Sequence, residues 1–217
     1  YGGRAEPALG APGPPAATIQ PCARGFHRSA HPDLPDNAAE HVVHGIRSRE
    51  TYIHLGCAAD HWCAASALIE LLPEVGKRLH YHGGSFGGGI GAMTLAWDQR
   101  FHRAALQVPS FGNHPLRVTL PCTGSGASVR QHYCRHPEVL DVLRYFDAAV
   151  MARRITIPVH FACARFDPAV PPPGQFAVHN AMEGEKNLFI LTSGHFAHPG
   201  EPEEQAALHE SESRWFS

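Results

Sequence analysis

Residues 83–87 read Gly-Gly-Ser-Phe-Gly and stand between a short strand-like stretch, Lys77–His82, and a run of small residues with helical character, Gly87–Trp97. A strand that turns directly into a helix leaves room only for small neighbours, and glycine also supplies the backbone freedom such a turn needs. Strand, tight turn, helix is the context in which G-x-S-x-G lifts a serine oxygen above a sheet edge. The same pattern fits a plain helix N-terminus capped by Ser85. The rest of the chain decides between the two.

Further strand-like runs lie at Arg103–Pro109, Thr156–Ala164 and Glu185–His195, with an earlier one at Ala17–Cys22. Over Glu50–Leu72, the residues Ile53, Leu55, Ala58, Trp62, Ala65, Ile69 and Leu72 recur near helical spacing, and Pro73 ends the pattern. His136–Arg154 reads as a helix pair or a bent helix, and Glu203–Phe216 as a final helix. The proline- and glycine-rich first 37 residues are mostly loop, as is Pro109–Gly126. Strands alternating with helices predict the α/β class, a mostly parallel sheet flanked by helices. At 217 residues the chain fits one domain spanning 1–217.

Eighteen basic against 20 acidic residues leave a net charge of −2, which gives neither a basic stripe for nucleic acid nor a polybasic run for a membrane surface. No nucleic-acid or membrane partner is expected, and no apolar run is long enough to span a bilayer. Six widely spread cysteines form no C-x-x-C pair, so a reducing cytoplasm is the simpler reading. Seventeen histidines raise metal binding, through the pairs His41/His44, His80/His82 and His195/His198. Yet there is no H-E-x-x-H, and no carboxylate stands at ligand spacing beside them, so neither a metal nor another cofactor is expected.

A hydroxyl is a poor nucleophile until a base takes its proton, and the base needs an acceptor to fix its tautomer. In a parallel α/β sheet the order should be serine, acid, histidine, each at the carboxyl end of a strand. Asp167 follows the run ending at Ala164, and His195 follows the run ending in Thr192-Ser193-Gly194. Taken singly, Asp167 before Pro168 could open a turn and His195 could be one loop histidine among many. Three roles in the required order make Ser85, Asp167 and His195 a candidate nucleophile, acid and base.

Several ordered segments carry a resemblance: "YGG" at the start, "ARGFHRS" at 23–29, "HVVHGI", "ETYIHLGCAADHWCAASALIELLPEV", "GGSFGGGIGA", "YFDAAVMARRITIPV", "FDPAVPPPGQFAVHNAM" and "SGHF". Over 1–198 the chain resembles the acetyl xylan esterase and cephalosporin C deacetylase family of the α/β-hydrolase fold. The resemblance implies a cytoplasmic deacetylase acting on small acetylated sugars, short xylo-oligosaccharides and cephalosporin C, in ring-like hexamers. It matches Ser85, Asp167 and His195 to nucleophile, acid and base, and the backbone N–H groups of Tyr1 and Phe86 to an oxyanion hole. Three positions depart from the family pattern: Phe86 replaces glutamine, Phe26-His27 replaces Gln-Gly, and Phe196 replaces glutamate. Family members also carry a segment ahead of Y-G-G that supplies the first strands, so the sheet is expected to lack them and the chain to be part of a longer one. Two alternatives stay open: a fold kept for binding without catalysis, and a hydrolase of more apolar esters with Phe26, Phe86 and Phe196 lining its pocket.

Overall fold

A computed structural model describes residues 1–7 and 10–217. Four strands, β1 (Leu79–Gly84), β2 (Phe101–Gln107), β3 (Val159–Phe166) and β4 (Lys186–Ser193), pair in parallel in the order β1-β2-β3-β4. The helices, in chain order, are α1 (Ala38–His41), α2 (Ile53–Leu71), α3 (Phe86–Leu95), α4 (His114–Arg117), α5 (Gly124–Arg135), α6 (Leu140–Leu143), α7 (Ala148–Ala152), α8 (Pro172–Ala181) and α9 (Glu201–Phe216).

The sheet is the expected α/β arrangement, and burial explains its sequence. β3 is buried from Val159 to Ala164, so both faces demand apolar or small residues and the strand reads as a continuous run. Its Val159, Phe161 and Cys163 enter the main core, with Ile90, Met93 and Leu95 of α3 and Val178 of α8. Ala162 and Ala164 face the other way, onto Leu191 and onto Leu208 of α9. Fully burying a side chain such as Phe161 or Ile90 contributes about 1.5–3 kcal/mol. β1 alternates instead: Leu79 and Tyr81 are buried, whereas His80 and His82 are exposed. The end of α9 reaches those histidines, with Phe216 stacked on His80 at 5.2 Å, and Gln107 of β2 lies 3.3 Å from His82 Nε2.

Several sequence expectations are corrected. Ala17–Cys22 forms no strand. Pro21 lacks a ladder donor and Pro12, Pro14 and Pro15 crowd the approach, so the segment stays irregular. It borders a cavity of about 1270 Å³ that runs along β1 and is also lined from α2 and α9. Leu55 is 45% exposed, so it faces solvent instead of the core side of α2, where His54 and Cys57 are buried. His136–Arg154 breaks into short helical pieces. Asp147 sets the last of them by accepting from Ala149 and Val150 N–H as N-cap of α7. The stretch expected as loop contains α4 and leads into α5.

Candidate active site

The register brings the three candidate residues to one edge of the sheet. Gly84 pairs with Gln107, and Ser85 N–H donates to the Gln107 carbonyl at 2.8 Å, which fixes the turn at the end of β1. Phe166 pairs with Ser193 at the ends of β3 and β4, so Asp167 and His195 emerge side by side. Gly194 N–H donates to the Phe166 carbonyl at 2.8 Å and ties the two loops together.

Ser85 Oγ donates to His195 Nε2 at 2.9 Å, and His195 Nδ1 donates to Asp167 Oδ2 at 2.8 Å. Because a carboxylate only accepts, Nδ1 carries the proton, which leaves the Nε2 lone pair facing the serine. Asp167 is buried and fully engaged. Its Oδ1 accepts from the N–H groups of Ala169 (2.9 Å) and Val170 (2.8 Å), and its Oδ2 also accepts from Gln175 Nε2 at 3.1 Å.

The backbone is strained here and little elsewhere. Ser85 has φ 55° and ψ −115°, and Val108, Phe111, Asn113 and His195 all have φ between 37° and 67°. Ser85, Val108 and His195 lie within two residues of a strand end, while Phe111 and Asn113 follow in the loop between β2 and α4; such conformations cost of order 1–3 kcal/mol apiece. The steric demand around the serine differs from the motif's pattern. A side chain on Gly87 would meet nothing within 4 Å, whereas a Cβ on Gly89 would come within 2.4 Å of the Ser110 carbonyl. Packing of α3 on the loop after β2 needs the glycine; the motif's last position does not.

Phe86 is the first residue of α3, and Gly89 N–H is the first to find a helical acceptor, the Ser85 carbonyl at 3.0 Å. The Phe86 N–H therefore belongs to the donors that a helix start leaves without an intrahelical partner, where a negative oxygen is favoured. Tyr1 lies beside it, its ring 4.1 Å from that of Phe86. Tyr1 Oη donates to His41 Nδ1 at 2.8 Å, and His41 Nε2 donates to the Arg24 carbonyl at 2.9 Å. Burial lowers the His41 pKa and raises that of the Tyr1 phenol, so both stay neutral in this contact.

Phe26 and Phe86 are buried around Tyr1 and His41, so they wall the Tyr1 loop and offer a substrate little surface. Phe196 differs at 57% exposed. The large cavity beside β1 touches Tyr1 and Phe86 but neither Ser85, Asp167 nor His195 lines it, so its size says nothing of the chemistry.

The histidine pairs have other partners. His80 stacks on Phe216, His82 Nε2 lies 3.2 Å from Glu212 Oε2, and His198 Nε2 lies 3.4 Å from Glu204 Oε2. Among the described residues no group of three or more His, Cys, Asp or Glu side chains is placed to hold a metal ion.

Sequence reasoning passed over Gln175, which is fully buried. Its Oε1 accepts from Ala164 N–H at 2.8 Å, while its Nε2 donates to the Val170 carbonyl at 2.6 Å as well as to Asp167. It also passed over a buried cluster around Phe111: His54, 4.4 Å from its ring; His114, stacked on it at 6.2 Å; and Arg117, whose guanidinium lies 5.3 Å from it. A glutamine in a proline-rich stretch and scattered histidines carry no local signal of such roles.

A parallel sheet with a strained serine at a strand-to-helix turn, hydrogen-bonded through histidine to a buried aspartate, defines an α/β-hydrolase fold. The chain belongs to the acetyl xylan esterase (AXE1) family, whose model matches residues 23–212. The acetyl esterase Axe7A of Xylanibacter ruminicola is 25% identical over 154 residues, covering 69% of this chain and 34% of its own length. An acetyl xylan esterase from Paenibacillus sp. R4 superposes with a TM-score of 0.74 at 22% identity, over 88% of this chain and 64% of that one. Acetyl xylan esterase 1 from Thermoanaerobacterium sp. JW/SL YS485 gives 0.67 at 20% identity, over 79% and 57%. The chain thus spans about a third of the curated relative and under two thirds of either solved esterase.

Proposed function

We propose that this chain is the catalytic part of a serine carboxylic-ester hydrolase that removes acetyl groups from small acetylated sugars and xylo-oligosaccharides, with the acetoxymethyl group of cephalosporin C as a further substrate. The observation that carries the reading is the unbroken relay from Ser85 through His195 to Asp167. His195 Nε2 takes the serine proton as Oγ attacks the acetyl carbonyl, and Asp167 holds the tautomer and stabilises the imidazolium. The Phe86 and Tyr1 N–H groups receive the developing oxyanion. His195 returns the proton to the leaving alcohol, and water activated by the same imidazole releases acetate.

All six cysteines carry free thiols, which supports a reducing, cytoplasmic setting. No helix among the described residues is long and apolar enough to cross a membrane. The partner we assign is the small acetylated substrate, with no nucleic acid and no membrane surface. Assembly into a hexamer rests on the family resemblance, and sedimentation of the purified chain tests it. The reading as a whole is tested by acetate release from acetylated xylo-oligosaccharides: wild type should turn them over and Ser85→Ala should not, and equal release from both would end it.

A second reading, toward more apolar esters, draws on Phe196 alone, since Phe26 and Phe86 are buried. Comparing acetyl with longer acyl esters separates the two.

A further inference from the structure

Phe166 directly precedes Asp167, and Phe196 directly follows His195. Their rings meet edge to face, with centroids 5.4 Å apart and an interplanar angle of 88°. Even so they remain 52% and 57% exposed. Both are held by backbone contacts: the Phe166 carbonyl accepts from Gly194 N–H, and the Phe196 carbonyl accepts from Ser193 Oγ at 2.6 Å. Two paired phenylalanines kept in water on a fixed frame cost solvation without adding to the core, and such patches mark binding surfaces.

Their place in the chain ties them to the acid and the base. In acyl transfer the oxyanion lies toward the start of α3 at Phe86, whereas the leaving oxygen must sit where His195 Nε2 can protonate it. Phe196 directly follows that base in the chain, and Phe166 packs against Phe196. The departing alcohol, and not the acetyl group, is therefore the part of the substrate on this side. An aromatic face attracts the flat C–H or π face of a ring and offers nothing specific to a short open-chain alcohol.

We propose that Phe166 and Phe196 form an aromatic platform for the ring of the leaving alcohol, so that the site selects ring-bearing acetyl esters over open-chain ones. The proposal rests on the acetyl-ester reading above. The contact is present in the bound substrate and in the transition state alike, so it acts mainly on KM.

The test compares an acetylated methyl xyloside with ethyl acetate on wild type, Phe196→Ala, Phe166→Ala/Phe196→Ala and Phe196→Trp, with thermal unfolding as a check on folding. Removing the platform should raise KM for the xyloside about three- to tenfold, the scale of one aromatic contact. The kcat values and all constants for ethyl acetate should stay unchanged, and Phe196→Trp should restore the xyloside KM. Equal losses on both esters, no loss on either, or a loss that tracks a change in oligomeric state would overturn the platform. If wild type hydrolyses neither ester, the acetyl-ester reading falls first and the platform with it.

Discussion

The Gln175 side-chain amide donates to Asp167 Oδ2, the oxygen that also accepts from His195. Gln175 thereby couples the start of α8 to the relay, because its own carbonyl is held by Ala164 N–H in β3. Gln175→Leu should lower kcat roughly tenfold through a less well held carboxylate, with little change in KM. It should also cost about 1–3 kcal/mol of stability, because Ala164 N–H loses its buried acceptor. Steady-state kinetics and urea unfolding of the variant read both, and an unchanged kcat would remove Gln175 from the positioning of Asp167.

Gly194 leaves no room for a side chain. A Cβ there would lie 2.4 Å from Asp167 Oδ2 and 3.0 Å from Val108 Cγ1. Gly194→Ala should therefore displace the carboxylate or the His195 loop and reduce kcat by about a hundredfold, the scale of an ångström-sized misplacement. Its thermal unfolding should shift less than its rate falls. A variant with normal turnover would show that the loop yields without disturbing the relay.

Asp167→Asn keeps the shape of the acid but offers His195 an amide that can also donate. The tautomer with the proton on Nε2 then competes, and turnover should fall by about 10³–10⁴ while substrate binding is largely kept. Turnover within a few-fold of wild type would refute the assignment of Asp167.

How far this arrangement was legible depended on how local its signal is. β3 and the loop after it could be read because burial on both faces writes a continuous apolar run, and Asp167 follows it at once. Ser85 was legible for the same reason, as the turn is written in adjacent residues. Gln175 was not, because its role arises only when α8 folds back against β3. The helix α5 was missed: Gly124 and Gly126 open it, and its residues are largely polar, so neither propensity nor periodicity marks it. Leu55 was misplaced because spacing near 3.6 selects a stripe without fixing its edges.

The buried imidazoles predict acid sensitivity. Burial pushes His114 down to about 3 and holds His54 well below its ordinary value near 6.5. The unfolded chain therefore binds more protons than the folded one below pH 6.5, so stability rises with pH from about 3 to 6.5 and is fully present above. Glu204, Glu212 and Asp98, held below their usual carboxylate values, act in the same direction at the acid end. Urea unfolding between pH 4.5 and 8 should give a midpoint that climbs to about pH 6.5 and then levels, and His54→Gln should flatten the climb. A midpoint independent of pH would mean these histidines are not kept neutral by the fold.

The most direct test of the central claim is the intact mass of the chain after treatment with a small fluorophosphonate, with Ser85→Ala alongside. A single adduct on wild type that is lost in the variant is the expected result, since only an activated serine displaces the fluoride. An unmodified wild-type chain that is folded by thermal unfolding, or an adduct that persists in Ser85→Ala, would contradict it.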